Sequence, residues 1–309
     1  MIPLAEPNLA GNESRYVRQA IASGWISGGG PFVERFEEMV AKACGRRWCV
    51  ATLTGTDAIH LAQTACGLRR DMRVDMPSMA YIGAANAVKA AGGTIHFRDI
   101  TDGWTYDRTV LGGVVDAAPA VGIRQEGLVI CLSFNGNKTI TTGQGGAVLG
   151  NELEFGSLVR HLGTMAKTGP YEYDAAGFNY PMTNLTAAMG CAQMERLKPA
   201  LSRKRDIWRR YREALRPAFP GVRSQSCWMA TLRTEKRGAM LAHLRKLGID
   251  ARPFWTPLHM LAPYRNCHRD PLPITEAIWD KLVCLPCSTG LTEGDQDKVI
   301  AACAAFLSS

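Results

Sequence analysis

CLSFNGNKTITTGQGGA, residues 131–147, begins as a strand and ends in glycines. Val129, Ile130 and Leu132 make a short apolar strand that breaks into small and polar residues, with Lys138 in their midst. Gly143, Gly145 and Gly146 close the run, and Ala147-Val148-Leu149 starts a second apolar segment. A lysine between two buried strands is costly to desolvate unless it has a function. Two readings are open. One is a solvated loop lysine. The other is an amine made nucleophilic by desolvation, which forms an imine with a carbonyl-bearing cofactor. Spacing alone does not choose, because glycine-rich loops are common.

Upstream, residues 49–53 read as a strand. Thr54-Gly55-Thr56 follows, then a helix through Ala58, Ile59, Leu61 and Ala62. A strand, a glycine turn and a helix start offer free N–H groups and a positive dipole end to an anion such as phosphate. Taken alone, Thr-Gly-Thr is a weak signal, since capping threonines are common. Residues 73–77 form another strand, followed by SMAYIGAANAVKAAGG at 78–93. Tyr81 there is either an ordinary buried aromatic or a platform for a planar ligand. Residues 114–118 form a buried strand holding Asp116, a carboxylate that needs a cationic partner or it will protonate. Residues 11–22 and 31–43 have helical spacing, the second with Phe32, Val33, Phe36, Met39 and Val40 as core. His96, in the strand at 94–97, reads as a satisfied core histidine.

Ser133-Phe134, Lys138, Thr141-Thr142-Gly143 and Gly145-Gly146-Ala147 resemble the lysine signature of the DegT-type nucleotide-sugar aminotransferases. These are fold-type I enzymes that depend on pyridoxal 5′-phosphate (PLP). The resemblance runs from about residue 11 to the C-terminus. It implies an α/β fold, an aspartate-aminotransferase-like three-layer sandwich. The PLP-binding large domain would span residues 1–200 and a smaller α+β C-terminal domain residues 201–309, entered through an amphipathic helix at about 199–215. By the same resemblance Lys138 is the catalytic lysine that carries PLP. Gly55, Thr56, Asp57 (by its backbone) and Ser133 would hold the phosphate, Tyr81 would stack on the pyridine ring, and Asp116 would pair with the protonated ring nitrogen. Asn179, in Gly177-Phe178-Asn179-Tyr180, matches a residue that reaches the neighbouring subunit's phosphate, which implies a homodimer with shared active sites. Trp255 and His259 are candidate substrate contacts, with packing as the alternative. The implied reaction moves an amino group from an amino acid, with glutamate expected, to a keto group on a nucleotide-linked deoxysugar. Retention of Lys138 argues against the family's dehydratase branch, which carries histidine there.

Departures from the pattern are Gln144, Pro119 and Pro181, where the family usually has Glu, Gln and Arg. The passage from Asp107 to Val114 is far shorter than in relatives, so one central strand and its flanking helices are expected to be missing. Either the sheet closes around that gap or another chain or segment fills it. The glycine-rich loop at 23–31, SGWISGGGP, is expected over the mouth of the site.

The composition fits an ordinary soluble globular protein: 46% hydrophobic and 21% charged residues. No secretory signal or membrane span is legible, and ten scattered cysteines suit a reducing cytoplasm. Cys284-Leu-Pro-Cys287 stands without a second pair, which argues against a zinc or redox site, and no metal is expected. A net charge of +8 suits an anionic partner such as a nucleotide sugar, and nucleic acid less specifically. The basic run Arg203-Lys204-Arg205 reads as a solvated helix face. Two rivals remain: a PLP enzyme acting on a modified nucleoside or nucleic acid, and a degenerate relative kept as a binding protein.

Overall fold

A computed structural model describes residues 1–101 and 103–308. Helices α1 (Glu13–Ala22) and α2 (Pro31–Cys44) fall where the 3.6-residue spacing puts them, and Gly45, with φ +65°, ends α2 in the left-handed cap that glycine favours. Strand β1 (Trp48–Thr52) leads through Thr54 into α3 (Gly55–Ala65). β2 (Arg73–Pro77), α4 (Ile82–Ala90) and β3 (Thr94–Arg98) follow, with β2 and β3 parallel. His96 on β3 bonds Asp270 at 2.9 Å, a partnered histidine as expected.

The shortened passage resolves into a hairpin. β4 (Thr109–Leu111) and β5 (Val114–Asp116) are antiparallel, and Leu111 pairs with Val114 across the two-residue turn Gly112-Gly113. Both glycines have positive φ, +59° and +110°, as a two-residue hairpin turn requires. β4 is the edge of its sheet and packs beside β2 of a separate three-stranded sheet, β12-β3-β2, with Leu111, Val114 and Val74 in one buried cluster, so the gap is closed by side-chain packing rather than by a continuous ladder. Gln63 on α3 donates to the Leu111 carbonyl at 2.8 Å.

β6 (Val129–Ser133) runs parallel to β5, and β7 (Gly146–Gly150) runs antiparallel to both β6 and β1. The main sheet has the order β1-β7-β6-β5-β4. α5 (Leu153–Gly163), a small hairpin of β8 (Lys167–Gly169) and β9 (Glu172–Tyr173), and α6 (Asn184–Glu195) complete this part. Along β6, Ile130 and Leu132 face a core shared with α1, α2 and α6, while Val129 and Cys131 face one shared with α3 and α4. Burial on both faces explains the unbroken apolar run and makes the expected three layers.

α7 (Leu197–Ala214) leads into a second sheet. β10 (Ala230–Arg233), α8 (Arg237–Lys246), β11 (Arg252–Pro253), β12 (His268–Arg269), α9 (Pro273–Ile278), β13 (Leu282–Leu285) and α10 (Glu293–Leu307) follow in turn. β13 is central, between β10 and β11, and the cluster of Ile207, Tyr211, Leu232, Met240, Leu285 and Val299 forms its core. Two connections cross the expected boundary at residue 200. The N-terminal segment bonds this part, Ile2 N–H to the Gly248 carbonyl and Asp250 N–H to that of Ile2. β12 in turn pairs parallel with β3 of the large part. Among the described residues no helix is long and apolar enough to cross a membrane.

Candidate active site

Two glycines let the start of α3 press onto the sheet. A Cβ on Gly146 would lie 2.2 Å from the Thr54 carbonyl oxygen, and one on Gly55 2.8 Å from the Ser133 Cβ. Thr54 caps the helix: its hydroxyl accepts the Asp57 N–H at 3.0 Å and bonds the Asp57 carboxylate at 2.8 Å. The amides of Gly55 and Thr56 have no acceptor within the helix, so with the dipole they make a cradle for an anion.

Beside this turn opens a cavity of about 430 Å³ whose wall includes Gly55, Thr56, Tyr81, Asp116, Ser133 and Lys138. Gln144, Trp228, Arg252 and Trp255 also line it. Tyr81 is half-exposed at the start of α4, its ring 5.9 Å from that of Trp255. Asp116, at the end of β5, is buried and accepts the Ala118 N–H at 3.0 Å. Burial pushes its carboxyl up, opposed by that amide and by Lys138. Lys138 sits in the turn between β6 and β7, and its amine lies 3.5 Å from the centre of the Trp228 ring. Desolvation brings the amine down to about 7, with Asp116 opposing and the Lys204 charge assisting. An amine with this pKa is largely neutral at mildly alkaline pH, which makes it nucleophilic.

Three expected residues lie outside the cavity wall. The Asp57 N–H is taken by Thr54, and its carboxylate serves the cap. Asn179 is exposed, in a backbone bridge to Thr164. His259 is buried, its Nδ1 2.7 Å from Ser78 Oγ and its Nε2 3.5 Å from Glu276, which places it in packing rather than in the cavity. The 23–31 loop does not cover this chain's own cavity. It is tied instead to α6, with Asn184 donating to the Trp25 carbonyl at 2.8 Å. Trp228 was not among the expected site residues, and it precedes β10 in a segment whose spacing gives no hint of a role. The expected solvated face is also corrected at Lys204: its side chain is buried because two backbone carbonyls, of Trp228 at 2.8 Å and Cys287 at 2.7 Å, receive its ammonium.

These residues fit PLP. The α3 turn and Ser133 offer an anion cradle, Lys138 a neutral amine, and Asp116 a buried carboxylate that a protonated pyridine nitrogen would bring back down. Sheet order and site together define a fold-type I PLP enzyme. The sequence profile of the DegT/DnrJ/EryC1/StrS aminotransferase family matches residues 7–111 and 107–304, and the chain belongs to that family. The chain is 32% identical to the GDP-perosamine synthase of Caulobacter vibrioides, with 97% of each covered. That alignment runs over 360 positions, longer than the 309-residue chain, so the relative carries residues that this chain lacks. The GDP-perosamine synthase of Vibrio cholerae is 29% identical, with 98% of each covered. Among solved structures, the aminotransferase TlmJ from Streptoalloteichus hindustanus superposes with a TM-score of 0.88 at 24% identity over all of both chains. A putative sugar aminotransferase from Streptococcus pneumoniae in its PLP form gives 0.86 at 20% identity, with 98% of each covered.

Proposed function

We propose that this aminotransferase uses PLP held at Lys138 to move an amino group from an amino acid, glutamate by our reading, to a keto group on a nucleotide-linked deoxysugar. The observation that carries this is the shared cavity, which has the Lys138 amine, the Asp116 carboxylate and the α3 cradle in its wall. The names of the perosamine synthases support the acceptor class, and the +8 charge suits a nucleotide diphosphate.

When bound, PLP supplies a carbonyl for amine exchange and an electron sink for the donor's α-carbon. Lys138, as a neutral amine, would take the α-proton and return it one position away. Asp116 would keep the ring nitrogen protonated. Gly55, Thr56 and Ser133 would hold the phosphate, and Tyr81 would stack on the ring. Trp255 and Arg252, in the same cavity wall, would contact the substrate.

A homodimer is part of this reading. Asn179 is exposed outside its own cavity, and Tyr171, 92% exposed, lies with half-exposed Trp25 and Tyr173 among the uncovered aromatics that a second copy would bury. We place the reaction in the cytoplasm, where the ten free cysteines stay reduced. The test is to incubate the PLP-loaded protein with glutamate and a panel of nucleotide-linked keto-deoxysugars, GDP-linked ones first. Stoichiometric 2-oxoglutarate and aminated sugar are expected. Turnover of none of the sugars would overturn the acceptor reading.

A further inference from the structure

The ladder of β10 and β13 ends where Ala230 pairs with Leu285, and two positions beyond that end the same register would set Trp228 opposite Cys287. There both carbonyls turn to the Lys204 ammonium. Cys287 Sγ joins them, 3.1 Å from the Trp228 carbonyl oxygen and 3.5 Å from Lys204 Nζ. The indole is fixed at its other end, where Nε1 donates to the Asn137 carbonyl at 2.7 Å, next to Lys138 in the chain. Its ring face lies on the Lys138 amine. Lys138, Lys204 and Trp228 also line one small cavity of about 50 Å³. An apolar residue would serve α7 packing at lower desolvation cost, so a lysine here calls for a reason.

We propose that Lys204 is a positioning residue of the transamination site. By holding the Trp228 and Cys287 carbonyls at the end of the ladder, it keeps the Trp228 ring seated on the Lys138 amine. This rests on the reading of Lys138 as the reactive amine, but the contact it describes needs no cofactor. The charged groups that act on Lys138 are Asp116 on β5 and Lys204 on α7, while Glu6 in the N-terminal segment and Arg252 on β11 line the cavities that Lys138 also lines.

The test uses cofactor-free protein. Lys138 is reductively methylated with formaldehyde and borohydride across pH, and the peptide is quantified by mass spectrometry. The plateau rate reports access to the neutral amine, and the midpoint reports the surrounding charge. In Lys204→Met the plateau should rise several-fold as the ring is released, while Lys204→Arg, which keeps charge and donors, should stay near wild type. Trp228→Ala should raise the plateau alike, and adding Lys204→Met to it should raise it no further. A folded Lys204→Met with an unchanged plateau overturns the proposal, and so does a full Lys204 effect persisting without Trp228. Should Lys204→Met not fold, Lys204→Gln, which keeps two N–H donors but loses the charge and some reach, replaces it with a smaller rise expected. These outcomes are independent of whether PLP is trapped on Lys138, so failure here is distinct from failure of the proposed function.

Discussion

Lys138 and Lys204 line the same small cavity, yet their surroundings differ in kind. Lys204 finds two carbonyl oxygens within 2.8 Å, whereas Lys138 finds the face of an indole and, farther off, a buried carboxylate. Converging acceptors repay the desolvation of an ammonium, and a ring face repays only part of it. Lys138 therefore loses its proton near neutrality, which suits chemistry, and Lys204 serves as a strut.

The largest expected effect breaks the chemical side. Lys138→Ala should fold normally and lose transaminase activity by about 10⁴-fold or more, read as 2-oxoglutarate release from the PLP-loaded enzyme. Asp116→Asn comes next, with a loss of roughly 10²- to 10³-fold. The carboxyl is raised in the fold, so at neutral pH it is a net cost to the cofactor-free protein. The melting temperature without PLP should therefore hold or rise while activity falls.

A pH series sharpens the contrast. The folded Lys138 value of about 7 lies below the unfolded lysine value, so between roughly pH 7 and 10.5 the unfolded chain binds more protons and stability rises with pH. Lys138→Met removes this dependence. Its stability advantage over wild type, measured by urea unfolding without PLP, should be greatest below pH 7 and shrink as the pH rises. An advantage that does not vary with pH would mean that the amine is not desolvated. The smallest effect lies away from the lysines. Gly113→Ala meets no atom within 4 Å but must adopt φ +110°, so a loss of about 1–2 kcal/mol in unfolding would confirm that the glycine turn holds the β4–β5 hairpin.

Much of this was legible in the sequence. Both-face burial wrote the strands around Lys138 as apolar runs, and the order of Thr-Gly-Thr, Asp116, Ser133 and Lys138 carried the site. The hairpin was also written there, as Gly112-Gly113 between Leu111 and Val114, but the expectation of a lost strand obscured it. Lys204 was misjudged by its charge. Its spacing from Leu201, Trp208 and Tyr211 puts it on the buried stripe of α7, where periodicity is the better guide. Trp228 and His259 were not separable, because only tertiary packing decides which aromatic of the C-terminal part meets the cavity.

The central claim is that Lys138 carries the cofactor. Purified protein incubated with PLP should absorb in the near-visible, and borohydride should bleach that band and leave a pyridoxyl adduct that mass spectrometry finds on Lys138. An adduct on another lysine, or no chromophore at saturating PLP, would contradict it.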